Sequence, residues 1–234
     1  MSTLHTGMHL LWPTPIGIYR YDQADIVNAA LVEEFAGIRE DQERQRGVPP
    51  GGPFFASDDD LLTRVKNDGW NRLVQFIVNG IAQTVEQVNT EHWAGRVREL
   101  AVSLEGLWFQ VAGGGAAHDV HTHGNCSWSG VYVVQIDPPG EREQHPLYGV
   151  ANGVTRLYGP HFTTLGGAFV DVGNAYLQKP HLDVDQVGGQ LLVFPSWLMH
   201  QAMAYSGDRD RVIISFNAAI HGSGGDQMFG YAAR

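Results

Sequence analysis

The chain has 234 residues, a formal net charge of −10 and a single cysteine, Cys126. The acidic balance excludes an extended nucleic-acid surface, which needs clustered lysine and arginine, and a lone cysteine excludes a disulfide framework. Because no segment approaches the roughly 18 consecutive apolar residues of a membrane span, we expect a cytoplasmic protein with no membrane partner.

Helices are predicted in the N-terminal part of the sequence. After a short extended segment at 10–20, apolar residues recur at helical spacing over 25–39. Residues 41–57 are polar and rich in glycine and proline, which favours a loop. A second apolar stripe with the same period predicts one or two helices over 58–89.

The pattern changes after Gly95, where short apolar segments alternate with turn signals. The 29 glycines of the chain favour turns over long helices. Many short strands are typical of a double-stranded β-helix, the cupin-like jelly roll, which the N-terminal helices would cover on one face. We therefore predict a mainly β fold, with strands at 102–111, 118–123, 128–136, 154–158, 167–172, 190–194, 199–205 and 211–218.

The sequence shows no linker that would divide the chain, so we predict one domain over residues 1–234. Within it, a helical support would occupy about 1–95 and the jelly-roll core about 96–220. Residues 221–234 would form a C-terminal tail. The N-terminal helices leave surface on which a homodimer could form.

A pair of histidines, His121 and His123, is the first candidate for a functional site. Residues at i and i+2 on a strand point to the same face, so the pair would present two imidazoles together. An exposed or hydrogen-bonded pair is the alternative, because the chain has 11 histidines. His118 and Asp119 are alternative candidates for metal ligation.

The C-terminal segment supplies a third histidine, His200, and an arginine, Arg211. If a two-residue turn joins their strands, Ala204 lies opposite Arg211 and these side chains face inward together, because cross-strand partners share a face. Arg211 would then lie roughly 13 Å along the sheet from His200, at about 3.3 Å per residue. That gap suits a five-carbon diacid together with an arginine side chain. A surface arginine at a hairpin turn is the alternative, and Arg209 is the obvious candidate for that role.

Together these residues predict a non-haem iron site. Fe(II) prefers nitrogen and oxygen donors, and three protein ligands on one face leave positions open for a 2-oxo acid and dioxygen. An arginine fork binds the remote carboxylate of such an acid with two parallel hydrogen bonds, which lysine cannot reproduce. We therefore predict His121, His123 and His200 as metal ligands and Arg211 as the residue that binds the co-substrate.

Several segments resemble a family of 2-oxoglutarate- and Fe(II)-dependent oxygenases found in bacteria and phages. The resemblance covers most of the chain in blocks, and the segment from Phe194 to Asn217 is its most specific part. The blocks are Leu11 to Pro15, Trp108 to Val111, His121 to His123, Ser129 to Val134, Leu192 to His200, and Arg211 to Asn217.

The resemblance implies a double-stranded β-helix that uses Fe(II), 2-oxoglutarate and O2. His121, His123 and His200 would ligate the iron, with His123 where the wider superfamily has a carboxylate. A ligand set of two histidines plus water stays open. Arg211 would bind the distal carboxylate of 2-oxoglutarate. The segment 138–189 fits no family pattern and would form loops near the mouth of the pocket.

Four further residues are candidates for contacts at this site. Gln110 and Tyr132, on strands before and after the histidine pair, are candidates to hydrogen-bond the co-substrate, and ordinary sheet residues are the alternative. Ser215 and Asn217 share the predicted inward face with Arg211 and are candidates to orient it.

The predicted function is oxidation of a C–H bond, in most cases hydroxylation, with succinate and CO2 as co-products. The substrate would be a small molecule, an amino acid or a peptide. One alternative is a cupin-type three-histidine metalloenzyme that does not use 2-oxoglutarate, such as a thiol dioxygenase or an isomerase. The other alternative is a jelly-roll binding module whose histidines hold no metal.

Overall fold

The protein is seen here as a computed structural model, which describes residue 8 and residues 13–93, 99–160 and 180–223. Most of the described chain is antiparallel β structure. The strands are β1 (Gly17–Arg20), β2 (Phe54–Ala56), β3 (Glu99–Ala112), β4 (Ala116–His121), β5 (Trp128–Gln135), β6 (Thr155–Tyr158), β7 (His181–Val184), β8 (Gln190–Pro195), β9 (His200–Tyr205) and β10 (Arg211–Ser223).

The strands form two sheets whose inner faces enclose a common core. The larger sheet has the order β1-β8-β5-β10-β3-β2, and the smaller has the order β4-β9-β6-β7. Strands adjacent in space are distant in sequence, as when β10 lies between β3 and β5. The fold is therefore the mainly β jelly roll that the sequence predicts.

Helices cover the outer face of the larger sheet. Apolar side chains of the two long helices, among them Phe35 and Ile77, are buried in one cluster with Ile214 and Phe216 of β10. No helix in the described ranges is long and apolar enough to cross a membrane. The helices are α1 (Ala24–Arg46), α2 (Leu61–Arg64), α3 (Asp68–Trp93) and α4 (Pro139–Arg142), with a 3-10 turn at Gly149–Ala151.

Strand β10 is buried on both of its faces, which is why its sequence shows no polar alternation. Val212, Ile214 and Phe216 belong to the cluster beneath the helices, whereas Ile213 belongs to a second cluster between the sheets. Successive residues of a strand point to opposite faces. Arg211 therefore lies on the inner side with Ile213.

Helix α1 continues to Arg46, well beyond the predicted end at residue 39. Its last turns are polar, and buried hydrogen bonds replace the apolar stripe there. Arg39 Nε donates to Glu43 Oε1 at 2.7 Å, and the Glu43 side chain is buried. Gly47, at φ 65°, ends the helix in the left-handed conformation that glycine adopts readily.

Two short strands lie where the sequence predicts loops. Strand β2 occupies part of the predicted loop 41–57, and β7 occupies part of the segment 138–189. Both are edge strands of three or four residues, too short to show a recognisable period. The strand predicted at 167–172 lies outside the described residues.

The predicted hairpin between His200 and Arg211 is wrong. Strand β9 belongs to the smaller sheet and β10 to the larger, so Ala204 is not paired with Arg211. The connection between them crosses from one sheet to the other. The carboxylate of Asp137 fixes it by accepting hydrogen bonds from the Asp208 backbone at 2.7 Å and from Arg209 Nε at 2.9 Å.

Candidate active site

Three histidines converge between the two sheets. His121 ends β4 and pairs in register with His200 at the start of β9. His123 lies in an irregular segment that follows β4. Its backbone N–H donates to Ser196 O at 3.0 Å, and this hydrogen bond holds the segment next to the other two histidines. One nitrogen from each of the three rings lies within 4.8 Å of the others, and the Nε2 atoms of His123 and His200 are 3.2 Å apart.

Backbone carbonyl groups fix the orientation of two of the rings. His121 Nδ1 lies 2.6 Å from Asp119 O, and His200 Nδ1 lies 2.8 Å from Leu198 O. A carbonyl oxygen only accepts hydrogen bonds, so each Nδ1 carries a hydrogen, and in the neutral ring Nε2 is then the atom that presents a lone pair. A hydrogen bond from the ring nitrogen that does not bind the metal is the usual support of a metal-binding histidine.

Burial keeps two of the histidines neutral. It is the main cause that lowers the pKa of His200 to about 3 and that of His123 to about 4, and the neighbouring His121 lowers both further. Both imidazoles are therefore unprotonated at neutral pH. That is the form in which histidine binds a metal ion.

A cavity of about 310 Å³, termed here the central cavity, contains the three histidines and Arg211. Arg211 is only 3% exposed, yet its Nη2 atom has no hydrogen-bond partner among the described residues. Burial lowers the pKa of Arg211 to about 10, so the guanidinium stays charged at neutral pH. No ion pair in the described part of the chain includes this residue.

These residues fit the groups that the sequence predicts. Three imidazoles are a suitable donor set for Fe(II), and the cavity beside them leaves room for further ligands. A buried charge without an ionic partner is costly, and the guanidinium of Arg211, whose Nη2 has no partner among the described residues, matches a carboxylate in charge. The arrangement can therefore hold a metal ion and an anionic co-substrate in one cavity.

Two of the four additional candidates line the central cavity. Gln110 and Ser215 lie on its wall with Arg211, on neighbouring strands of the larger sheet. Their contacts with the co-substrate stay predictions. The partner that holds Arg211 is neither Ser215 nor Asn217: Arg211 Nε donates to Oε1 of Gln186 at 2.7 Å.

The predictions for Tyr132 and Asn217 are wrong. Tyr132 points to the helix side of the larger sheet, because residues of β5 alternate between its faces. Its hydroxyl donates to Asn28 Oδ1 of α1 at 2.8 Å. Asn217 does not line the central cavity, and its Oδ1 accepts a hydrogen bond from Ser129 Oγ at 2.9 Å.

A Tyr132→Phe variant tests this placement. We expect the free energy of unfolding to fall by about 1–3 kcal/mol, because Asn28 Oδ1 would lose its buried partner. The affinity for 2-oxoglutarate should be unchanged. Denaturant unfolding and calorimetric titration measure the two quantities, and weaker co-substrate binding at unchanged stability would contradict the assignment.

Sequence reasoning missed Gln186 and Thr155. Gln186 is buried next to Arg211, and Thr155 of β6 lines the central cavity from the smaller sheet. Both belong to the segment 138–189. Their contacts join residues more than 20 positions apart, so no local pattern could have indicated them.

Comparison with known proteins agrees with this geometry. Residues 106–217 match the sequence profile of the family described as "Putative 2OG-Fe(II) oxygenase". The matched segment contains the three histidines and Arg211. This segment forms a domain of this family of 2OG-Fe(II) oxygenases. Its class is accordingly that of an oxidoreductase.

Several solved structures are similar to this one. The structure is similar to the epimerase SnoN in complex with Fe3+, alpha ketoglutarate and nogalamycin RO, with a TM-score of 0.51 and 14% identity over 93% of this chain and 88% of that chain. It is also similar to a Pseudomonas putida prolyl-4-hydroxylase, with a TM-score of 0.46 and 13% identity over 87% of this chain and 92% of that chain. HygX from Streptomyces hygroscopicus, with nickel and 2-oxoglutarate bound, has a TM-score of 0.47 and 11% identity over 88% and 83% of the two chains. No protein with a curated description matches the sequence.

Proposed function

We propose that the protein is an Fe(II)- and 2-oxoglutarate-dependent dioxygenase that hydroxylates a C–H bond, with succinate and CO2 as co-products. The observation that carries the proposal is the buried Arg211, which has no ion pair among the described residues, in the same cavity as three histidine nitrogen donors. A cation of this kind needs an anionic partner, and a 2-oxo diacid can contact both the metal and the guanidinium.

The residues have separate roles. His121, His123 and His200 would hold Fe(II), and Arg211 would bind the distal carboxylate of 2-oxoglutarate. When bound, the iron supplies the oxygen chemistry that decarboxylates 2-oxoglutarate and oxidises the substrate. The aromatic ring of Phe194 lies 4.6 Å from that of His200 and lines the same cavity.

The walls of the central cavity favour a substrate whose reacting part is small and uncharged. Its volume is near the lower end of the range for ligand pockets, about 300–1,000 Å³. The co-substrate would use part of that space. Among the described lining residues, Arg211 is the only one that is an arginine, lysine, aspartate or glutamate, and Phe54 and Trp108 are apolar. A small molecule, or one side chain of a peptide, satisfies these limits.

The proposal is tested by adding Fe(II) and then 2-oxoglutarate to the apo-protein without oxygen. We expect a visible charge-transfer band that appears only when both are present, because the 2-oxo acid must chelate the iron to produce it. An absorption titration gives the affinity of each component.

Two other outcomes would overturn the proposal in different ways. Bound iron without the band, together with substrate turnover that needs no 2-oxoglutarate, would indicate the three-histidine metalloenzyme instead. Failure to bind Fe(II) or Co(II) would remove the metal site altogether.

A further inference from the structure

The side chain of Gln186 joins the two walls of the central cavity. It is 1% exposed, it lies next to Arg211 of the larger sheet, and it contacts Thr155 of the smaller sheet. Arg211 Nε donates to Gln186 Oε1 at 2.7 Å, and Gln186 Nε2 donates to Thr155 Oγ1 at 2.6 Å. A buried amide therefore connects two residues that line the cavity.

The direction of each hydrogen bond in this chain follows from its chemistry. An arginine nitrogen only donates, so the Gln186 atom that faces it is the oxygen, and the amide nitrogen must face Thr155. Thr155 Oγ1 accepts that hydrogen bond and keeps its own hydrogen. Within the described residues the Thr155 hydroxyl donates to no acceptor, and Arg211 Nη2 likewise has no partner.

The backbone of Gln186 is also held firmly. Its carbonyl oxygen accepts a hydrogen bond from Arg142 Nη2 at 2.8 Å, and Arg142 is itself buried. The same guanidinium donates through Nε to Asp137 O at 2.8 Å and forms an ion pair with Asp185. The position of the amide is thus fixed by the fold before any ligand binds.

We propose that Gln186 is a positioning residue for the co-substrate carboxylate. It holds the Arg211 fork through Nε and directs the Thr155 hydroxyl, so that Arg211 Nη2 and Thr155 Oγ1 donate to one carboxylate. The inference rests on the proposed function, since it concerns the binding of 2-oxoglutarate at the same site.

The neutrality of the amide is essential to this role. A carboxylate at residue 186 would satisfy the hydrogen bond of Arg211 and would also neutralise its charge. It would then repel the carboxylate of the ligand across a short distance in a site of low polarity. Glutamine supplies the same acceptor atom and leaves the positive charge available for 2-oxoglutarate.

The test compares Gln186→Glu with the wild-type protein, each loaded with Co(II) in place of iron. Calorimetric titration with 2-oxoglutarate should show an affinity that is lower by at least about tenfold in the variant, because like charges at a binding site weaken association. Co(II) affinity should be unchanged. The unfolding temperature of the apo-variant should be equal or higher, because the new carboxylate pairs with a buried cation.

A second pair of variants separates positioning from packing. Thr155→Val removes the hydroxyl and should weaken 2-oxoglutarate binding several-fold in the wild-type background. In the background of Gln186→Leu the same change should have a smaller effect, since the hydroxyl is no longer directed. Gln144→Glu, which adds the same charge at an exposed glutamine, is the matched control and should change nothing.

The possible failures can be distinguished. Unchanged 2-oxoglutarate affinity in Gln186→Glu, or equal effects of Thr155→Val in both backgrounds, would overturn the role of Gln186. If Co(II)-loaded wild-type protein did not bind 2-oxoglutarate at all, the proposed function itself would fail.

Discussion

Replacing Arg211 with methionine is expected to weaken 2-oxoglutarate binding on the order of 100-fold. Loss of one partner of a buried, hydrogen-bonded charge pair costs about 2–5 kcal/mol, and each 1.4 kcal/mol corresponds to about a factor of ten. Arg211 is the only arginine, lysine, aspartate or glutamate among the described lining residues of the central cavity, so no other lining residue supplies a fixed positive charge.

The same variant should not destabilise the apo-protein. In the absence of ligand, Arg211 is a buried cation whose Nη2 atom has no partner among the described residues. Its replacement removes a costly buried charge, which offsets the loss of the donor to Gln186 Oε1. Methionine fills similar space without a charge. We therefore expect an unfolding temperature equal to or above that of the wild type, together with unchanged metal affinity.

Calorimetry on Co(II)-loaded protein and thermal unfolding of apo-protein measure these effects. Arg209→Met is the matched control, because Arg209 is paired with Asp137 on the connection between the sheets and does not line the cavity. It should bind 2-oxoglutarate normally and unfold at a lower temperature. An Arg211→Met protein with normal 2-oxoglutarate affinity would show that the carboxylate binds elsewhere.

His200→Ala is expected to weaken the binding of Fe(II) or Co(II) by more than about 100-fold. Loss of an outer partner of a metal ligand already costs about 10–100-fold, and removal of a ligand must cost more. The Nε2 atom of His200 lies 3.2 Å from that of His123, and the ring is held by Leu198 O. No adjacent side chain in the described structure offers a donor in the same position.

A metal titration monitored by absorption measures the metal affinity of the variant, and circular dichroism confirms that the variant is folded. His221→Ala removes an exposed histidine from the far part of β10 and should leave metal binding intact. If a folded His200→Ala protein bound Co(II) as tightly as the wild type, His121 and His123 would have to bind the metal without it.

The fold could be predicted from the sequence where local patterns carry the information. The helical period of α1 and α3 and the short apolar segments of β5 and β8 are such patterns. Strands β2 and β7 were missed because three or four residues show no period. The last two turns of α1, after Arg39, were missed because polar contacts, such as that of Arg39 with Glu43, replace its apolar stripe.

The site was predictable to the extent that its residues carry their own chemistry. A pair of histidines on one strand, a third histidine and an arginine after it form a pattern that indicates metal and carboxylate binding. Gln186 carries no such signal, and its role depends on two hydrogen bonds to residues 25 and 31 positions away. The face of Tyr132 and the hydrogen-bond partner of Asn217 also depend on tertiary packing, which the local sequence does not show.

The placement of His200 and Arg211 on opposite sheets has a mechanical consequence. Any ligand that joins a metal on the smaller sheet to the guanidinium on the larger one acts as a non-covalent crosslink through the interior of the sandwich. A ligand that binds only the native state stabilises it by mass action. Amide hydrogens of β9 and β10 should therefore exchange with solvent more slowly, and together, when both metal and 2-oxoglutarate are present than with the metal alone.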